Sequence, residues 1–140
     1  MKCLFLDANV LFTAAHNPFG KASLVLELGS RGHWRMITST LAVEESRRNL
    51  TAKFPDGVSR LEVLLRDITV LPSISGPDCP IDLPAKDRPI FLTALRCGAT
   101  HLLTGDMLHF GSFMHDASQT AGILITTVAA FLASLSASEK

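Results

Sequence analysis

Lys2-Cys3-Leu4-Phe5-Leu6-Asp7-Ala8-Asn9 is the stretch on which the fold of this chain turns. Its apolar run is too short for a helix and contains aromatic and branched residues, which predicts a strand buried on both faces. The run stops at a carboxylate, so Asp7 is expected where buried sheet meets solvent. In parallel α/β sheets, ligands bind in the crevice outside the carboxyl ends of the strands. The functional question is therefore which other acids reach the same edge.

Outward from this strand, Asn9 to Ala15 predicts a short helix, broken by the turn signal Asn17-Pro18-Phe19-Gly20. Ala22 to Arg31 carries Leu24, Val25 and Leu28 at helical spacing and ends at Gly32. Trp34 to Thr38 predicts a second strand. Ser39 or Thr40 can cap the next helix, whose apolar members are Leu41, Val43, Leu50 and Phe54, and Pro55 stops it. Val58 to Arg66 predicts another amphipathic helix and Ile68 to Leu71 a third strand. Pro72 to Pro84, rich in Pro, Gly, Ser and Asp, is expected to be a surface loop. Lys86 to Arg96 predicts a helix closed by Gly98, followed by a strand at His101 to Leu103 that ends in the turn Thr104-Gly105-Asp106. A last strand at Ile123 to Thr126 and a helix from Val128 to about Leu135 complete the series. Strands alternating with helices imply a parallel sheet covered on both faces.

Composition bounds the function. A chain of 140 residues is one domain's worth, here residues 1–135, with 136–140 a polar tail. An apolar content of 47% and a mean hydropathy of +0.29 fit strands buried on both sides. No apolar run approaches the roughly 18 residues of a membrane span, and the expectation is a soluble, cytoplasmic protein. Cys3, Cys79 and Cys97 lack paired spacing, which argues against a disulfide framework or zinc knuckle. Thirteen basic residues balance thirteen acidic ones, so any binding to a polyanion must come from a local patch.

Two predicted strands lead into an aspartate, Asp7 and Asp106. If they are neighbours, both carboxylates enter one crevice. Asp87, opening the helix before the second of these strands, reads by itself as a cap or first-turn charge. On the helix from Ser39, at about 100° per residue, Ala42, Val43, Ser46, Leu50 and Phe54 form the packed arc. Glu45 then lies at the arc's edge, beside Leu41 and Ala52. Glu44 lies farther out, where an ion pair with Arg48 satisfies it, so Glu45 is favoured as the inward acid. Carboxylates crowded together raise one another's pKa unless a cation joins them. All-oxygen sites of this kind suit Mg²⁺ or Mn²⁺, ions that support phosphodiester hydrolysis.

The chain resembles the PIN-domain family of metal-dependent nucleases, which includes ribonuclease toxins of toxin-antitoxin pairs. The likeness rests on Leu-Asp-Ala-Asn-Val-Leu from Leu6, Thr-Leu-Ala-Val-Glu-Glu-Ser-Arg-Arg-Asn-Leu from Thr40, Lys-Asp-Arg-Pro-Ile from Lys86, and Leu-Leu-Thr-Gly-Asp-Met-Leu-His-Phe-Gly from Leu102. It implies a three-layer α/β/α fold with a central five-stranded parallel sheet and the first strand in the middle. It also implies an acidic metal site of Asp7, Glu45, Asp87 and Asp106, with Asn9 and Thr104 as polar companions and Mg²⁺ or Mn²⁺ as cofactor. RNA is the implied substrate, with a homodimer and an antitoxin protein as partners. Many family members carry a further acid three positions after the one matching Asp106; here that position is His109, which puts a second metal site in doubt.

His109 has two readings: contact with a phosphate or metal-bound water at the crevice rim, or packing beside Phe110 as a turn residue, the latter favoured. Arg47, Arg48, Lys53 and Arg88 either form solvated helix faces or hold phosphates beside the acids. His109 and His115 lack zinc-ligand spacing on a helix. Few aromatics argue against a base-stacking platform. Two other functions compete with the nuclease: a PIN-like nucleic-acid-binding or scaffold protein without catalysis, and a phosphatase using Asp7 as nucleophile. The second is disfavoured because Asn9 stands where such enzymes carry an acid.

Overall fold

The computed structural model describes residues 1–138. Five parallel strands form one sheet, β1 (Cys3–Leu6), β2 (Arg35–Ser39), β3 (Thr69–Leu71), β4 (His101–Leu103) and β5 (Leu124–Thr126), in the order β3-β2-β1-β4-β5. Every residue of β1 is buried, as the unbroken apolar run predicts for the central strand of a doubly covered sheet. Its register sets Leu4 opposite Met36 on one side and His101 on the other, and Leu6 opposite Leu103. The strands carrying Asp7 and Asp106 at their ends are therefore neighbours.

The helices are α1 (Ala8–His16), α2 (Lys21–Ser30), α3 (Thr40–Lys53), α4 (Gly57–Leu64), α5 (Arg88–Arg96), α6 (Met107–Phe110) and α7 (Val128–Ser138). Helix α1 packs against α2, α3 and α4, and α5 lies against β2 and β4. The fold is the three-layer α/β/α arrangement that the resemblance implied. Ser39 caps α3 by accepting the Ala42 N–H at 3.1 Å. Beyond α5, Gly98 adopts φ +79°, a left-handed conformation that suits glycine. None of the helices among the described residues is long and apolar enough to cross a membrane.

Four expectations need correction. Phe54 does not join the packed arc of α3; it is 41% exposed because it caps the helix with non-helical backbone, and its ring stacks on His16 at 3.6 Å between centroids. The segment from Pro72 to Pro84 forms no strand or helix, but it is not wholly superficial: Ile81 and Leu83 are buried in the core, as two apolar side chains in a polar stretch demand. Helix α6 and the 3₁₀ turn Gly111–Phe113 follow Asp106 where only a turn was expected. Helix α7 runs on to Ser138, into the expected tail; Glu139 and Lys140 of that tail lie outside the described residues.

Candidate metal centre

The crevice lies at the carboxyl ends of β1 and β4. Asp7 follows β1 directly and is 6% exposed, held there because its own backbone N–H continues the ladder to Leu103 O at 3.1 Å. Its Oδ1 accepts the Ala8 N–H at 2.7 Å, so it also caps α1. Its Oδ2 accepts the Thr104 hydroxyl at 2.7 Å and the Asn9 side-chain amide at 3.2 Å. Thr104 is fully buried, and its Oγ1 also accepts the Asp106 backbone N–H at 3.1 Å. Asn9 returns through Oδ1, which accepts the Gly105 N–H at 2.7 Å. Asn9 and Thr104 thus stitch the end of β1 to the turn after β4 and fix how the Asp7 carboxylate points.

Asp7, Glu45, Asp87 and Asp106 all line one crevice of about 380 Å³. Asp87 occupies the cap position of α5 but makes no capping hydrogen bond through its side chain, which turns to the crevice instead. Asp106 caps α6, accepting the His109 N–H on Oδ1 at 3.1 Å. Glu45 reaches in from α3, whereas Glu44 stays outside beside Arg47 and Arg48.

Burial dominates the electrostatics of the site, and neighbouring acids add to it. Burial pushes Asp7 from an ordinary 3.8 up to about 6, with the charges of Glu45 and Asp87 adding to it against the hydrogen bonds from Thr104 and Ala8. Burial also raises Asp87, opposed by neighbouring His109 and helped by Asp106. His109 does not act as a turn residue facing Phe110: its Nδ1 lies 2.8 Å from Asp106 Oδ2 and 3.0 Å from Asp87 Oδ2. One imidazole N–H aimed at Asp106 leaves the buried Asp87 Oδ2 without a hydrogen-bond partner. An orphaned carboxylate oxygen among further acids fits the donor set of a divalent cation.

The basic residues sort differently from expectation. Arg48 and Lys53 line the crevice, and Lys86 and Asn49 join them. The Glu44–Arg48 ion pair is not among those of the described residues; Arg48 borders both the crevice and the surface beside Glu44. Arg47 is drawn away by Glu62, with an N···O separation of 2.7 Å, and Arg88 donates from Nε to Leu83 O at 2.9 Å; neither lines the crevice. Lys86 was missed in the sequence although it adjoins Asp87, since a lysine before a helix ordinarily reads as a solvated charge.

Parallel strands in the order β3-β2-β1-β4-β5, with carboxylates converging at the end of the central pair, define a PIN-like α/β/α fold. Among solved structures the chain is similar to VapBC2 from Rickettsia felis bound to a promoter DNA fragment, at 13% identity over 89% of this chain and 98% of that one, with a TM-score of 0.63. It is similar to FitAB bound to a DNA fragment, at 16% identity over 89% and 94%, with a TM-score of 0.59. It is also similar to VapC20 of Mycobacterium tuberculosis, described as a sarcin-ricin loop cleaving toxin, at 10% identity over 84% and 93%, with a TM-score of 0.52. No family model and no curated protein matches the sequence. The likeness therefore establishes the fold, at sequence identities too low to carry function with it.

Proposed function

We propose that the chain is a metal-dependent endoribonuclease whose centre consists of Asp7, Glu45, Asp87 and Asp106, with Asn9 and Thr104 orienting the carboxylates. The observation that carries this proposal is the convergence of four acids from four separate segments on one crevice, with Asp7 pushed to about 6. Such a cluster is costly without a cation among its members. Bound there, Mg²⁺ or Mn²⁺ lowers the pKa of water and neutralises charge on the phosphate.

The chain's own groups account for the rest of the reaction. The acids take up the proton released as water oxygen attacks phosphorus, and the ribose oxygen leaves as its P–O bond breaks and gains a proton in turn. Arg48, Lys53 and Lys86 hold the phosphates on either side of the cut. The sarcin-ricin loop cleaving toxin among the structures of the same fold supports RNA as substrate, and the resemblance to the toxin-containing family supports an antitoxin as partner. A homodimer belongs to the same proposal; exposed Phe19, Met107 and Leu108 are apolar surface that a partner covers.

The test is incubation of a mixed single-stranded RNA pool with the protein in Mn²⁺, in Mg²⁺ and in EDTA, with the new termini identified by mass. Cleavage abolished by EDTA, with termini free of cyclic phosphate, is expected of attack by water. Cleavage that persists in EDTA, or leaves cyclic phosphates, contradicts the proposal. Absence of both cleavage and Mn²⁺ binding favours the scaffold reading.

A further inference from the structure

We infer that His109 is a nitrogen ligand of this centre, which makes Asp87, Asp106 and His109 a mixed site that takes divalent transition-metal ions in preference to Mg²⁺. This rests on the proposal above that the acids hold a divalent ion; it adds which class of ion and through which atom.

His109 is placed by the local structure. Asp106 caps α6 through the His109 N–H, and that bond turns the imidazole back over the same carboxylate. The ring is largely sheltered, with 21% of the side chain exposed, and Nδ1 faces two carboxylate oxygens at 2.8 and 3.0 Å. Hydrogen bonding accounts for only one of these contacts, since the second N–H of a protonated ring would sit on Nε2, across the ring. The other oxygen, Asp87 Oδ2, is buried and has no donor.

The spacing suits coordination. One ligand atom from each of Asp87, Asp106 and His109 lies within 4.8 Å of the other two. Adjacent ligands on an octahedral ion with bonds of about 2.1 Å stand about 3 Å apart, which the two nitrogen–oxygen separations match. Mg²⁺ prefers oxygen and parts reluctantly with its waters, whereas an imidazole favours first-row transition ions over it. With Asp87, Asp106 and His109 as direct ligands and Asp7 and Glu45 facing them across the same crevice, coordination positions remain for water and a phosphate oxygen, as the proposed hydrolysis requires.

The experiment uses the whole chain without a polyhistidine tag and Mn²⁺ as the probe. Calorimetry gives affinity, competition by Mg²⁺ gives selectivity, and pulsed electron paramagnetic resonance reads nitrogen coupled to the bound Mn²⁺. The wild type is expected to show nitrogen coupling. His109→Gln is expected to lose it, with Mn²⁺ affinity falling roughly tenfold or more and Mg²⁺ affinity far less altered. His109→Asp, which offers oxygen instead, is expected to bind Mn²⁺ without nitrogen coupling and to narrow the preference over Mg²⁺. Mn²⁺ bound by the wild type without nitrogen coupling, and unchanged in His109→Gln, overturns the inference and leaves the nuclease proposal standing. No Mn²⁺ bound by the wild type overturns both.

Discussion

At the scale of single residues, Asp7 sets stability against its proposed role in the metal centre. Its carboxyl is raised from 3.8 to about 6 in the folded chain, so the native state holds this proton more tightly than the unfolded state does. Its contribution to stability is therefore fully present below about pH 4, falls as pH rises toward 6, and stays lost above that. The difference between 3.8 and about 6 corresponds to roughly 3 kcal/mol. Asp7→Asn, an uncharged near-isostere, is expected to stabilise the metal-free protein by up to about 3 kcal/mol at pH 7.5 and to change little at pH 3.5. Urea unfolding at both pH values checks this; destabilisation at pH 7.5 contradicts it. Thr104→Val removes a hydroxyl donor to Asp7 Oδ2 and an acceptor for Asp106. It is expected to raise the Asp7 pKa further and to cost about 1–3 kcal/mol of stability, measurable by NMR titration and unfolding. Asp7 and Asp106 were legible from where strands end and Glu45 from the arc of its helix, whereas Asp87 alone reads as a cap and joins the set only through the family resemblance. The inward turn of His109 was not, because a four-residue helix capped by its own aspartate leaves no periodicity to read.

At the scale of elements, the strands and long helices follow from hydrophobic runs and their punctuation. Ser39, Pro55 and Gly98 mark ends the backbone honours. Sequence pattern fails where burial is decided by tertiary contact. Leu83 lies in a segment whose proline, glycine and serine content announces a loop, yet only 1% of it is exposed. Leu83→Ala is accordingly expected to cost about 2–4 kcal/mol, as measured by denaturant midpoint at unchanged slope. A loss under about 0.5 kcal/mol is what a truly superficial loop gives. Phe54 errs in the opposite direction: helical arithmetic assigns it to the core, but the helix has ended by that residue and the ring is left to His16.

For the whole molecule, a net charge of zero leaves the proposed nucleic-acid binding to the local group of Arg48, Lys53 and Lys86. Three phosphate contacts on a single strand predict a slope of about −2 in the logarithm of affinity against the logarithm of salt. Lys86→Ala is expected to make that slope shallower, while Arg47→Ala, already paired with Glu62, leaves it as it was. Filter binding to RNA across salt, with Ca²⁺ in place of Mn²⁺, checks both. The β3-β2-β1-β4-β5 order is what brings Asp7 and Asp106 together; of it only the central place of β1 was implied, by the family resemblance, since strand adjacency leaves no mark in hydrophobic periodicity. The most direct measurement is single-turnover RNA cleavage in Mn²⁺ by the wild type, Asp7→Asn and Asp106→Asn, each first shown to be folded by circular dichroism. A rate at least about a hundredfold lower in both variants, a barrier increase of about 2.7 kcal/mol, is the predicted result. Wild-type rates in both folded variants would contradict a catalytic centre at this crevice.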